Sequence, residues 1–297
     1  MNSRTLLNLV LLGIVALLVV LVVYEPGKEA EPQAPRLTAL KKDSISKIDI
    51  QRSGGETVRF VRDKNIWHMT APYQLPANEF RINSILRLAE MESHARHELE
   101  GLDRADFKLT QPEVVVTFDD QVNIKFGGSE PLNHHRYVEV DGMLHLISDT
   151  VYYHVSGKPT ALLSLQLLPQ GTVIQAIELP DNRLELKDGR WQIKNEPADM
   201  ASDAVTRLLN EWRLAQALDV VAATQPPGRQ QVKIFVEGQD TPVVFSIVQR
   251  KPDFVLLRED KGVQYQLTED SAERLLRLAS TDVLDEDALP PPAAAKP

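Results

Sequence analysis

Cysteine is absent from the chain. That excludes disulfide scaffolds, thiol nucleophiles and cysteine-based zinc sites together, and fits a reducing or an oxidising compartment equally. Aromatic residues are scarce, at 6% of 297 residues, so the position of each tryptophan carries information. Positive charge is in deficit: 33 Lys and Arg against 42 Asp and Glu leave a net charge of -9. Apart from Lys41-Lys42 there is no basic cluster, so no nucleic-acid partner is expected, because such binders present a basic face to phosphate. The same sign disfavours peripheral docking on anionic lipid. With 43% hydrophobic and 25% charged residues, the composition is globular, and the length suffices for two domains with proper cores.

What the chain does contain is one module written twice. Residues 173–216 repeat residues 45–98 in order and spacing. Each copy has a short apolar strand (Ile48-Asp-Ile50; Ile177-Glu-Leu179) and an alternating strand (residues 58–61; 184–186). A turn and a single tryptophan (Trp67; Trp191) follow, then an amphipathic helix. The helix phases agree. Ile82, Ile85, Leu86 and Ala89 fall on one face, and Val205, Leu208, Leu209 and Trp212 repeat the spacing. Asn78 is the expected N-cap of a first helix reaching residue 92, with Arg81, Asn83, Ser84 and Glu90 pointing away from its apolar face. The tryptophans at matched positions read as core anchors of the two repeats. Alternating strands continue past each helix, with Asp141-Gly142 a hairpin turn. Thr268 begins a closing helix carrying Ala272, Leu275 and Leu276. Gly157 and Pro159 split its counterpart in the first half. The expected fold is α+β, two tandem repeats of mainly antiparallel sheet plus helices in the order β-β-β-α-β-β-β-β-α.

Around this body the pattern divides the chain into six stretches. Residues 1–4 are a short N-terminus, expected in the cytoplasm. Residues 5–24, TLLNLVLLGIVALLVVLVVY, match the length of a transmembrane anchor. The run is longer than a signal-peptide core and lacks a clean cleavage motif. Residues 25–37 hold three prolines and form a spacer of up to roughly 40 Å in an extended state. The repeats occupy 38–166 and 167–281, and residues 282–297, acidic and then proline-rich, are expected to be disordered. The body is expected outside the cytoplasm, in the periplasm of a bacterium with two membranes, held to the inner membrane by residues 5–24.

No constellation announces a reaction. His134, His135, His145 and His154 crowd one region, but adjacent strand residues point to opposite faces and a metal needs converging ligands. His94 and His97, spaced one helical turn apart, lack the companion glutamate pattern of a zinc helix. Ser44-Ile-Ser-Lys47 has the letters of a serine-lysine nucleophile but runs into a strand, and Gly157-Lys158-Pro159 lacks the rest of a phosphate loop. No catalytic residue, cofactor or metal site is assigned. Tyr137, Tyr152 and Tyr153, amphipathic groups of the kind common at interfaces, are the candidate partner surface.

The strand-Trp-helix unit, Gly101-Leu102-Asp103, Gly127 and Tyr137-Val-Glu-Val140-Asp-Gly142, with the N-terminal run, resemble the domain of unknown function 4340 family. The likeness covers most of residues 38–280. It implies a membrane-anchored extracytoplasmic bacterial protein associated with ABC-type transporter subunits, and no catalytic residues. The first expectation is a non-enzymatic accessory or scaffold protein of such a complex. The second is a binding module for a small ligand or envelope polymer in a cleft between the repeats.

Overall fold

The computed structural model describes residues 3–24, 34–194 and 202–278, with side chains over 6–20 in the first stretch. The tail at 282–297 and most of the spacer lie outside the described residues. The N-terminal apolar run forms α1 (Ser3–Tyr24). Among the described residues no helix is long and apolar enough to cross a membrane. The described 6–20 portion of α1 rises roughly 22 Å, short of roughly 30 Å of hydrocarbon.

In the first half, β1 (Lys47–Arg52), β2 (Val58–Asp63), β3 (Ile66–Ala71) and the two-residue β4 (Leu75–Pro76) form a meander that leads into α2 (Glu79–Leu86). After it come β5 (Ala95–Glu98), β6 (Val114–Phe118), β7 (Val122–Ser129), β8 (Arg136–Val140), β9 (Met143–Ile147) and α3 (Tyr152–Ser156). The second half holds β10 (Ile174–Glu178), β11 (Arg183–Lys187), β12 (Arg190–Ile193), α4 (Ser202–Leu214) and β13 (Asp219–Ala222). It ends with β14 (Gln231–Val236), β15 (Val243–Gln249), β16 (Phe254–Arg258), β17 (Val263–Leu267) and α5 (Glu269–Leu276).

These strands make two antiparallel sheets, ordered β4-β3-β2-β1-β6-β7-β8-β9-β5 and β12-β11-β10-β14-β15-β16-β17-β13. Without β4 the two orders coincide strand for strand. The α+β class and the duplication therefore hold through the whole of both halves. The hairpin turns match as well. Lys64-Asn65 and its counterpart Asp188-Gly189 all adopt positive φ, the conformation a two-residue hairpin of this twist needs.

The order within each half corrects the expected four strands after the helix to five. β5 and β13, four residues each, were not legible as strands, being short, and β5 is polar. Each pairs with the last strand of its sheet, β5 with β9 and β13 with β17. His94 and His97 consequently lie in and beside an extended edge strand and share no helical face. The chain thus leaves one edge of the first sheet at β4, crosses its face as α2, and resumes at the opposite edge as β5. That crossing is why one face of the helix must be apolar.

The helix phases are observed. Ile82, Ile85, Leu86 and Ala89 are buried, as are Val205, Leu208, Leu209 and Trp212. Burial of a large aliphatic side chain is worth roughly 1.5–3 kcal/mol. Asn78 caps α2 by accepting the Arg81 N–H at 3.2 Å. Two details differ from expectation. The α-helix stops at Leu86 and continues as a 3₁₀ turn, Arg87–Glu90, and Ser84 is buried, its hydroxyl donating to the Phe80 carbonyl at 2.9 Å. That local bond satisfies the hydroxyl and lets it face inward. Thr268 sits at the N-cap of α5, but its hydroxyl pairs with the Ser271 hydroxyl at 2.8 Å instead of a backbone N–H. The interruption at Gly157 and Pro159 is present as α3 followed by a 3₁₀ turn, Pro159–Leu162.

A single apolar core runs from Leu37 and Ile48 through Phe60, Phe126 and Leu163 to Phe245 and Leu276. The outer face of the first sheet has a smaller cluster, Leu99, Leu109 and Leu144 with Phe107 and Tyr137, under the loop that contains Gly101-Leu102-Asp103. Gly127 explains its own presence here. A Cβ at this position would stand 2.3 Å from the Phe107 carbonyl oxygen, while the Gly128 N–H donates to that same oxygen at 2.8 Å. Gly127→Ala is expected to cost about 1–3 kcal/mol, as overpacking does, and to lift the loop. A lowered urea midpoint with faster proteolysis at residues 101–109 is the expected result; unchanged cleavage there would refute it.

Candidate functional site

The halves meet at the segment that follows α3, and backbone chemistry fixes it on both sides. The Asn78 N–H donates to Leu162 O at 2.8 Å and the Ser164 N–H to Pro76 O at 2.9 Å, tying the segment to the first half. Three residues later the Leu167 N–H donates to Ala215 O at 3.2 Å, and the Ala217 N–H donates to Leu165 O at 2.8 Å. Leu162, Leu163, Leu167 and Leu168 are buried between these attachments. Extended backbone with satisfied donors and buried leucines on both sides leaves little freedom for hinge motion. The same device opens the first half, where Arg36 bridges Glu92 as Gln166 bridges Gln216.

Over this junction lies a groove of about 410 Å³. Ile66, Phe80, Leu165 and Pro169 supply its apolar lining, and Gln166 and Gln216 amides. His68 and Glu79 are its titratable residues. Phe80 is 69% exposed and Ile66 45%, while Leu214, the last residue of α4, and Leu218, two residues past Gln216, are 76% and 67% exposed outside the lining. The groove is thus a weakly charged trough with an apolar rim. Sequence reasoning missed Phe80 and Leu214 although a signal existed: each is a large apolar residue off the buried face of its helix.

The three tyrosines proposed as one surface are divided by the first sheet. Tyr137 alternates with Arg136 and Val138 along β8 and packs outward on Phe107, ring centroids 5.0 Å apart. Tyr152 lies on the inner side against Phe126 and beneath Arg136, whose guanidinium carbon is 3.4 Å from the ring centroid. Arg136 is itself buried. It pairs with Asp149 and donates to the Gly127 carbonyl at 2.7 Å. The Tyr152 hydroxyl donates to Glu113. Burial, then the Glu113 carboxylate, pushes the Tyr152 phenol up to about 12, so it holds its proton at neutral pH. The cluster pins α3 to the sheet. Tyr153, 72% exposed, is the one of the three that faces solvent fully.

Trp67 is buried in the core, and Trp191 is half-buried at the edge strand of the second sheet, packed against the core. The histidines do not converge: among the described residues there is no group of three or more ligands able to hold a metal. His94 stacks on His135, centroids 4.1 Å apart, and His135 faces Glu130. Lys47, the lysine of the serine-lysine spacing, is turned to Asp49 and Asp120.

No curated protein and no solved structure matches the chain. A family model, Domain of unknown function (DUF4340), matches residues 67–233. That range starts at the buried tryptophan of β3, spans Gly127 and the junction, and ends in β14. Since it takes in more than half of the chain, this protein belongs to the DUF4340 family.

Proposed function

We propose that this protein is a non-catalytic accessory or scaffold protein, anchored by α1 in the bacterial inner membrane with its body in the periplasm and serving a membrane transport complex. The observation that carries the reading is the contrast between α1 and the body. Leu6 to Val20 leave their large apolar side chains 51–71% exposed, and none joins the core. Taken over all its 22 residues, beyond the 6–20 portion that is too short to span, the helix would rise roughly 33 Å, the thickness of a hydrocarbon layer. An apolar helix without a protein partner supports a lipid environment. The transporter association rests on the family resemblance. The doubly tied junction and its weakly charged, apolar-rimmed groove favour presentation of a surface over chemistry in a cleft.

The test is copurification. Membranes bearing the tagged full chain are solubilised gently, and a version lacking residues 1–24 serves as control. Permease and ATPase subunits are expected with the full chain and lost, at least tenfold, with the control. Recovery of the full chain alone would overturn the transport reading. A second reading, a ligand site at the junction, draws on the amides of Gln166 and Gln216 in the groove; it predicts that Gln216→Ala abolishes ligand-induced thermal stabilisation by envelope polymers.

A further inference from the structure

One surface of the first half combines exposed aromatics with arginines that lack carboxylate partners. On α2, Phe80 is 69% exposed, and on α3, Tyr153 is 72% exposed. Between them lies His154, its ring 6.4 Å from Phe80 and 5.8 Å from Tyr153. Arg81 and Arg87 flank that histidine: burial first, then these two guanidinium groups, lower its basicity. Among the described residues neither arginine forms an ion pair, although Lys47, Arg59, Arg104, Lys125 and Arg274 all do. In a chain of net charge -9, two arginines six residues apart on one helical run, left without carboxylate partners beside two exposed rings, stand out against the overall sign.

The spacer reaches the body close to this surface. Arg36 bridges Glu92, and the Leu37 N–H donates to Met91 O at 2.7 Å, at the end of the helical run that begins with Glu79 and Phe80. Nine residues, 25–33, separate α1 from the described body, and ten peptide steps span at most roughly 36 Å. A body so tethered stays within reach of the headgroup layer.

We propose that the surface formed by Phe80, Arg81, Arg87, Tyr153 and His154 seats the first half on anionic phospholipid headgroups. Arginine matches phosphate with a planar fork of donors, and aromatic rings favour the headgroup depth. Seating there would set the orientation of the doubly tied second half with respect to the bilayer. This inference rests on α1 being a membrane anchor, and the test separates the two.

The cysteine-free chain accepts a single label. Asn83→Cys, exposed on α2 between Phe80 and Arg87, carries an environment-sensitive fluorophore, and the full chain is reconstituted into nanodiscs of phosphatidylcholine, with or without 30% phosphatidylglycerol. Blue-shifted emission, quenched by brominated lipid, is expected only in the anionic discs. Arg81→Gln with Arg87→Gln is expected to lower the seated-to-free ratio about 30-fold, from roughly 1 kcal/mol per arginine at 1.4 kcal/mol per tenfold. The same emission in both disc types, from protein retained in the discs, overturns the seating and leaves the anchor intact. Response only in discs that also contain extracted membrane proteins overturns it in favour of a protein partner. Equal disc retention of a version lacking residues 1–24 overturns the anchor instead; the label's response to anionic discs then still decides the seating.

Discussion

Trp212→Ala is expected to remove about 3–5 kcal/mol of stability, the range for truncating a large buried aromatic, and to unfold the second half's helical layer first. Trp212 is fully buried, its ring 5.6 Å from Phe245, which in turn meets Tyr265. Its indole N–H also donates to the Leu275 carbonyl at 2.8 Å. Leu275 stands in the last turn of α5, where carbonyls have no helical donor left to accept. One side chain therefore fills the space between α4 and the sheet and closes the end of α5. Truncation leaves a cavity and an orphaned carbonyl together, and the second loss adds to the first. Trp191→Ala, at the half-buried edge position, should cost less than half as much. Urea unfolding by circular dichroism, with amide exchange read over residues 269–276, checks both. Equal losses for the two tryptophans would refute the assignment of Trp212 as the link between the helices.

The same residue shows what the sequence made legible and what it did not. Helix phase was readable because burial of one face repeats every three or four residues: the eight positions read on α2 with its 3₁₀ turn and on α4 are buried, as are Leu275 and Leu276 of the closing helix, with Ala272 partly so. The matched copies of strand, turn and tryptophan were readable for a similar reason. Local order did not reveal where each helix delivers the chain. β5 and β13 are four-residue edges whose identity comes from the ladders of β9 and β17, contacts dozens of residues away in sequence. Tertiary pairing overrode the local pattern at His94 and His97. Nor could the pattern show that Tyr137 and Tyr152 face opposite sides of a sheet, since Tyr152 belongs to a helix whose docking depends on Arg136, Asp149 and Glu113. The candidate surface was therefore half legible: Tyr153 was named, and Phe80, its partner across His154, was overlooked because a search for the buried face passes over the large apolar residues that stand off it.

Where the two copies diverge, the burial of a polar group marks it. Trp212 matches Ala89 in helix phase, and the ladders β5 with β9 and β13 with β17 place His145 where the second half has Tyr265. Tyr265 sits in the core against Phe245. His145 occupies the corresponding inward position, sharing a side of β9 with the buried Ile147. It is 2% exposed, and its Nδ1 has no hydrogen-bond partner.

A buried imidazole in that setting must stay neutral. Burial first, then the positive charge of Arg96, lowers His145 to about 4 despite the opposing effect of Asp141. In the unfolded chain the ring titrates near 6.5. Between these values the unfolded state binds the proton and the folded state does not, so stability falls as pH drops from about 6.5 to about 4 and the contribution is gone below that. At 1.36 kcal/mol per pH unit, His145 accounts for a loss of roughly 3 kcal/mol across that window. His154, similarly lowered but only partly buried, adds less. His145→Leu keeps an apolar group in the site without a proton to gain. Its urea midpoint is expected to hold nearly level from pH 7 to pH 4.5, where the native chain declines steeply. Parallel declines in the two proteins would show that carboxylates, not this histidine, set the acid limit of the first half.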